Sequence, residues 1–251
     1  MIAFSFGLNY NQNGVAIAKG LFKMGRAFNF EGPVFSSLSR LADLFWLNLL
    51  FVLCCIPVIT VGAASTALYY VTLKMAKDEE GYITRSYFKA FKDNFVQATV
   101  IWILLLTVVV VMFLDFRIAN GNNTAELFGS AAVSNIIIVA VGVMSIVVTM
   151  TATYVFPLLA RFDNTVGNTI KNAFLISVRH LPYTFLMIII SAVPVVLIWF
   201  FPALLILLLI MFSGVAYINS KYLSKIFLLY MPGEVSADGA ADPAEDTDGE
   251  D

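Results

Sequence analysis

The chain has 251 residues, of which 60% are apolar and only 13% charged, with a formal net charge of −2. Soluble globular domains carry about 45–50% apolar and about 25% charged residues, so a water-soluble fold is excluded: no interior of this size hides the apolar surplus. The charge is also uneven. Residues 234–251 hold eight acids (Glu234, Asp238, Asp242, Glu245, Asp246, Asp248, Glu250, Asp251) and no base, which leaves 15 basic against nine acidic residues in the body.

Residues 1–36 read as a cytoplasmic N-terminal arm. Asn9, Asn11, Gln12, Asn13 and Lys19 interrupt residues 1–23, so the apolar core of a cleavable signal peptide is missing and the first apolar segment must serve as an uncleaved anchor. Four stretches without Asp, Glu, Lys or Arg follow, at 44–73, 94–114, 127–160 and 181–220, running to 30, 21, 34 and 40 residues. A spanning helix needs about 20 apolar residues, so the longer stretches are hairpins or long tilted helices. Strands are not expected, because the runs lack the polar-in, apolar-out alternation of a barrel and lipid demands that backbone groups be paired locally. The predicted fold is therefore an all-α polytopic bundle of about six spanning helices within 37–230, at about 38–56, 61–76, 95–115, 132–160, 181–200 and 203–222. The first hairpin turns at Pro57-Val58-Ile59-Thr60-Val61-Gly62, where proline breaks the helical ladder and glycine permits the turn. Its second arm is short and carries Ser65, Thr66, Tyr69, Tyr70 and Thr72, and a re-entrant arm there would give five spans. Residues 231–251 are expected to be a disordered acidic tail.

Basic residues orient the bundle, since basic loops resist translocation. Lys19, Lys23, Arg26 and Arg40 precede the first span, and Lys74, Lys77, Arg85, Lys89 and Lys92 lie between 74 and 92, so both flanks are expected in the cytoplasm. The loop at 115–131 has a Gly-Asn-Asn-Thr turn and suits the outside; 161–180, with Arg161, Lys171 and Arg179, suits the inside. Both termini are then cytoplasmic. Trp46, Trp102 and Trp199 with Tyr69, Tyr70 and Tyr183 are expected at the headgroup belts.

Segment 78–95 is the most structured polar piece. Ile83, Tyr87, Phe88, Phe91 and Phe95 recur at intervals of three and four while Arg85, Lys89, Lys92 and Asp93 take the other faces, the pattern of an amphipathic helix on the cytoplasmic side. It either anchors the bundle at the headgroup boundary or docks on a cytoplasmic partner through Gly81, Arg85, Phe88, Lys89, Phe91 and Lys92. Sliding the chain by 86 residues sets Gly81 on Gly167, Arg85 on Lys171 and Phe88 on Phe174, a faint sign of an internal repeat. The glycine and the phenylalanine seven positions later, with Leu181-Pro182 closing the second loop, resemble the cytoplasmic loop of ABC importer permeases, although the Glu-Ala-Ala element is absent and Leu181-Pro182 comes a couple of residues late.

Polar residues at membrane depth mark transport paths because burying them is costly. Asp43, Asn48, Thr60, Ser65, Thr66, Thr149, Thr151 and Thr153 form such a set, with local helix hydrogen bonding and helix–helix contact as the alternative role. Cys54 and Cys55 are adjacent and serve neither as a staple nor as a metal site. His180 is the only histidine; no metal site, cofactor site, nucleotide loop or nucleophile elbow is found. An enzyme and a nucleic-acid partner are not expected.

Several stretches carry a family resemblance: Gly32-Pro33 with Leu38-Ser39-Arg40-Leu41-Ala42-Asp43, Pro57-Val58-Ile59-Thr60-Val61-Gly62-Ala63, Ala67-Leu68-Tyr69-Tyr70, and Phe88-Lys89-Ala90-Phe91-Lys92-Asp93-Asn94-Phe95. They resemble the YesL-like family of bacterial multi-pass membrane proteins. The resemblance covers about 24–225 and is specific at 32–95. It implies a bacterial plasma membrane and an association with carbohydrate importers, and it supplies no catalytic residue. Relatives of this kind begin shortly before the equivalent of Gly32-Pro33, which leaves two native starts open, Met1 with residues 1–23 as a species-specific arm or Met24 with those residues as an upstream extension. Three roles follow: an accessory component of carbohydrate uptake contacting ABC importer subunits, an independent small-solute transporter or channel, and a membrane scaffold.

Overall fold

The computed structural model describes residues 33–79, 81–119, 131–200 and 208–231. Residues 1–32, 80, 120–130, 201–207 and 232–251 lie outside them, and with them most of the expected N-terminal arm, the Gly-Asn-Asn-Thr turn and nearly all of the acidic tail. Among the described residues the chain is helical and contains no strand: α1 Pro33–Cys55, a 3-10 turn Val58–Thr60, α2 Val61–Ala76, α3 Ile83–Asp93, α4 Phe95–Ala119, α5 Ala131–Arg161, α6 Val166–Arg179, α7 Leu181–Phe200 and α8 Leu208–Leu228. The chain divides between Asp43 and Leu44; all packing described below belongs to the unit from Leu44 onward.

Four stretches are long and apolar enough to cross a bilayer, namely Leu38–Cys55, Val58–Ala76, Phe95–Ala119 and Asn135–Arg161. A fifth candidate combines α6 with the start of α7, bent by 101°. The protein is an all-α polytopic membrane bundle. α4 shows the solvent preference most clearly: Ile103, Leu104, Val109, Val110, Phe113 and Leu114 are exposed, a surface stable only against hydrocarbon.

The central helix is α2, which forms the wall between two cores. On one side Ala64, Ala67, Leu68 and Val71 pack with Leu47, Leu50 and Phe51 of α1, Tyr87 and Ala90 of α3 and Ala216 of α8. On the other, Ala63 and Leu73 join Ala98 and Ile101 of α4, Tyr154 to Ala160 of α5, Met187 of α7 and Leu223, Ile226 and Phe227 of α8. Lipid tails are as apolar as leucine, so helix association in a membrane depends on close packing and polar contact, and small residues supply the closeness. At Gly62 that need is absolute, because an added Cβ would meet the Ala98 carbonyl and lie 2.7 Å from Trp102 Cβ.

The turn between α1 and α2 sits beside the beginning of α4. Trp102 Nε1 donates to the Val58 carbonyl at 2.8 Å, and Trp102 is seven residues into α4, about 10 Å along its axis. The hairpin turn thus meets α4 near the end where α3 joins it.

The 86-residue offset recurs in the helix ends. α3 ends at Asp93, turns at Asn94 and continues as α4 from Phe95; α6 ends at Arg179, turns at His180 and continues as α7 from Leu181. The closing backbone bonds coincide, Asn94 N to Ala90 O at 3.1 Å and His180 N to Ile176 O at 2.9 Å, then Ala98 N to Asn94 O and Thr184 N to His180 O. Burial follows the same register, with Tyr87 and Ala173, Ala90 and Ile176, Ala98 and Thr184, and Ile101 and Met187 all buried.

Candidate functional site

The candidate surface is the outer face of α3. Tyr82 precedes the helix in extended backbone and supplies no side-chain cap, so α3 depends on its packing against α2. Tyr87 is fully buried, and its hydroxyl donates to the Ala64 carbonyl at 3.4 Å. Burial pushes the Tyr87 phenol far above its ordinary value of 10.0, and the Cys54 thiol beside it adds to the rise, so the ring stays neutral. Phe91 stacks on Tyr87 with centroids 6.4 Å apart, and Phe88 meets the Tyr87 edge at 5.7 Å. A second tie comes from α1, where Trp46 Nε1 donates to Thr84 Oγ1 at 2.9 Å.

These ties fix which side chains point outward. Arg85, Phe88, Lys89, Lys92 and Asp93 are exposed, Phe91 is half-buried, and Gly81 is exposed just before the helix. Three cations, one carboxylate and a phenylalanine 38% exposed therefore share a face held to the core through its opposite side. The apolar stripe inferred from spacing needs correction: Ile83, Tyr87 and Phe91 turn inward together with Ala90, whereas Phe88 and Phe95 stay exposed. At 3.6 residues per turn, a position directly after Tyr87 lies about 100° around the helix, which carries Phe88 off the buried side.

The membrane-depth polar residues do not gather at one place. Asn48 is buried and its Oδ1 accepts from Ser213 N at 3.3 Å, while Ser213 Oγ donates to the Leu44 carbonyl at 2.7 Å; together they stitch α1 to α8. Thr66 is buried and bonds the Gly62 carbonyl, and Thr60 bonds the Cys54 and Pro57 carbonyls across the hairpin turn. Thr149, Thr151 and Thr153 each donate to the carbonyl four residues back, and of the three only Thr151 is buried. Ser65 and Asp43 are half-buried. Such back-bonding is how hydroxyls satisfy themselves in an apolar helix.

Two polar clusters arise from residues outside that set. In the first, Thr72 and Ser220 hydroxyls meet at 2.8 Å between α2 and α8. Beside them Asn219 Nδ2 donates to Ser191 Oγ at 3.1 Å; Tyr69 interacts with the Asn219 side chain, yet Asn219 Oδ1 has no partner in hydrogen-bond geometry. The second cluster binds the α6–α7 turn. The Thr184 hydroxyl donates to the Ser177 and His180 carbonyls and so receives the Tyr154 hydroxyl at 3.0 Å, while His180 Nε2 lies 3.1 Å from the Tyr230 hydroxyl. Helical spacing alone did not signal the contacts between helices, which join residues 28 to 148 apart. Among the described residues no group of three His, Cys, Asp or Glu could hold a metal ion.

The outer face of α3 falls inside a segment that matches a known family. Residues 44–116 match the family described as "Protein of unknown function, DUF624". The match begins in α1, takes in the whole of α2 and α3, and ends in α4. No curated protein and no solved structure matches the chain.

Proposed function

We propose that this protein is a non-catalytic accessory subunit of a carbohydrate importer in a bacterial plasma membrane, docking on a cytoplasmic importer subunit through α3. The observation that carries the reading is the rigid outward presentation of Arg85, Phe88, Lys89 and Lys92 by a helix anchored through fully buried Tyr87. An exposed aromatic among cations suits an acidic, apolar-walled groove, in which the ring supplies contact area and the charges orient the encounter. The importer itself enters through the resemblance of residues 32–95 to the YesL-like family, which overlaps the DUF624 segment. In this reading α3, α6 and the end of α8 share the cytoplasmic side with both termini, because an even number of crossings separates them and their flanks carry the lysines and arginines.

The test is affinity purification from native membranes in a gentle detergent. Near-stoichiometric recovery of an importer permease or ATPase subunit is expected, and Arg85→Glu with Lys89→Glu and Lys92→Glu should abolish it while leaving the protein in the membrane fraction. Recovery of the protein alone, together with solute flux in vesicles containing nothing else, would overturn the reading in favour of an independent transporter.

A further inference from the structure

We infer that α6 is a lipid-binding surface helix, lying in the headgroup layer with its exposed face on anionic phospholipid. α7 has 20 residues and no charged side chain, about 30 Å of helix and enough to cross the hydrocarbon core unaided. α6 turns away from it by 101° at His180. A helix at right angles to a spanning helix runs along the membrane plane, and α6 ends at the turn from which α7 starts.

The side chains of α6 match that position. Thr169, Ala173, Ile176 and Ser177 are buried toward the bundle, whereas Phe174, Leu175 and Val178 are 43%, 61% and 45% exposed. Beyond the His180 turn, Leu181, Tyr183 and Phe185 of α7 are exposed as well, so both arms of the bend carry apolar surface that lipid would cover. Lys171 and Arg179 are exposed and are the only charged residues of the helix; Arg179 rests over the Tyr230 ring at 5.9 Å, and exposed Asp163 lies outside the helix in the preceding turn. Apolar area that enters the acyl boundary plus cations that meet phosphate are the two components of interfacial binding, and the cations set a preference for anionic lipid.

The equivalent helix α3 provides an internal contrast. At the same register it carries Arg85 for Lys171 and Phe88 for Phe174, but charged Lys89 and Lys92 stand where α6 has Leu175 and Val178. One copy of the elbow thus faces water and the other faces oil, independently of what α3 binds.

The test uses the full chain in phosphatidylcholine vesicles, with Leu175→Trp as the reporter and the unsubstituted chain subtracting the signal of Trp46, Trp102 and Trp199. Lipid brominated on its acyl chains is expected to quench the added emission by about half or more, with little effect of aqueous iodide. If Leu175→Trp fails to insert, Val178→Trp reports the same face. In a 3:1 mixture with phosphatidylglycerol, the protein should retain phosphatidylglycerol through detergent extraction, and Lys171→Gln with Arg179→Gln should lower that retention several-fold. Iodide quenching without lipid quenching would overturn the inference and mark α6 as a water-facing or protein-docking surface. Unchanged phosphatidylglycerol retention in the double variant would overturn it as well.

Discussion

At Gly62 the space available for a side chain is already occupied by the Ala98 backbone and Trp102 Cβ. Gly62→Val should therefore cost about 1–3 kcal/mol through overpacking, read as a lower unfolding midpoint in detergent; Gly214→Ala, whose new Cβ would have only the Ile210 side chain at 3.8 Å, is the matched control. Tyr87 makes a pH prediction. Its phenol is raised in the folded protein by burial and by Cys54, so the neutral form is favoured by folding. That contribution is whole below the ordinary tyrosine value of about 10 and is lost as the pH climbs above it, where the unfolded chain ionises and the folded one resists. Tyr87→Phe should remove this alkaline sensitivity, and the loss of helical signal between pH 9 and 12 in the two proteins, on the order of those values from ordinary phenol ionisation, checks it. A variant as sensitive as the parent would show that Tyr87 is not the responsible group.

Among elements, the α1–α2 hairpin separates what spacing can reveal from what it cannot. Pro57 and Gly62 marked the turn, because a helix break and a permissive glycine are local properties of the chain. Where the turn lies along α4 is a long-range fact: it rests on Trp102 reaching the Val58 carbonyl across 44 residues. The same limit applied to α3, where the charged face was legible from charge alone but the inward set was misjudged at Phe88 and Phe95, whose exposure depends on the neighbours that α2 and α5 happen to provide. The hairpin makes its own prediction. A cysteine at Ile59, which is 54% exposed, should react with a membrane-impermeant maleimide from the same side as a cysteine at Gly81, or from neither side if lipid covers it. Labelling from the opposite side would establish two full crossings.

For the molecule as a whole, composition was sufficient to select a membrane bundle, since no arrangement of this many apolar side chains satisfies water. The repeat was nearly invisible because identity at the 86-residue offset is low; what persists is the position of turns and buried contacts, which tolerates exchange of Ala98 for Thr184 or Ile101 for Met187 as long as each fills its site. Conservation of shape with divergence of surface is the ordinary outcome when packing constrains the inner face and function the outer one. The charge balance of the body is dominated by bases once residues 234–251 are set aside, and the expected orientation of the helices rests on it.

The right angle at His180 also has a mechanical meaning. His180 is braced from outside by the Tyr230 hydroxyl at 3.1 Å and from inside by Thr184 bonding the carbonyls of Ser177 and His180, so α6 and α7 behave as a stiff bracket with the end of α8 as its strut. A bilayer that thickens or thins changes the tilt that α7 must adopt, and a stiff bracket cannot tilt one arm without swinging the other. A change of α7 tilt with bilayer thickness would then be expected to swing α6 and the segment around Tyr230 sideways.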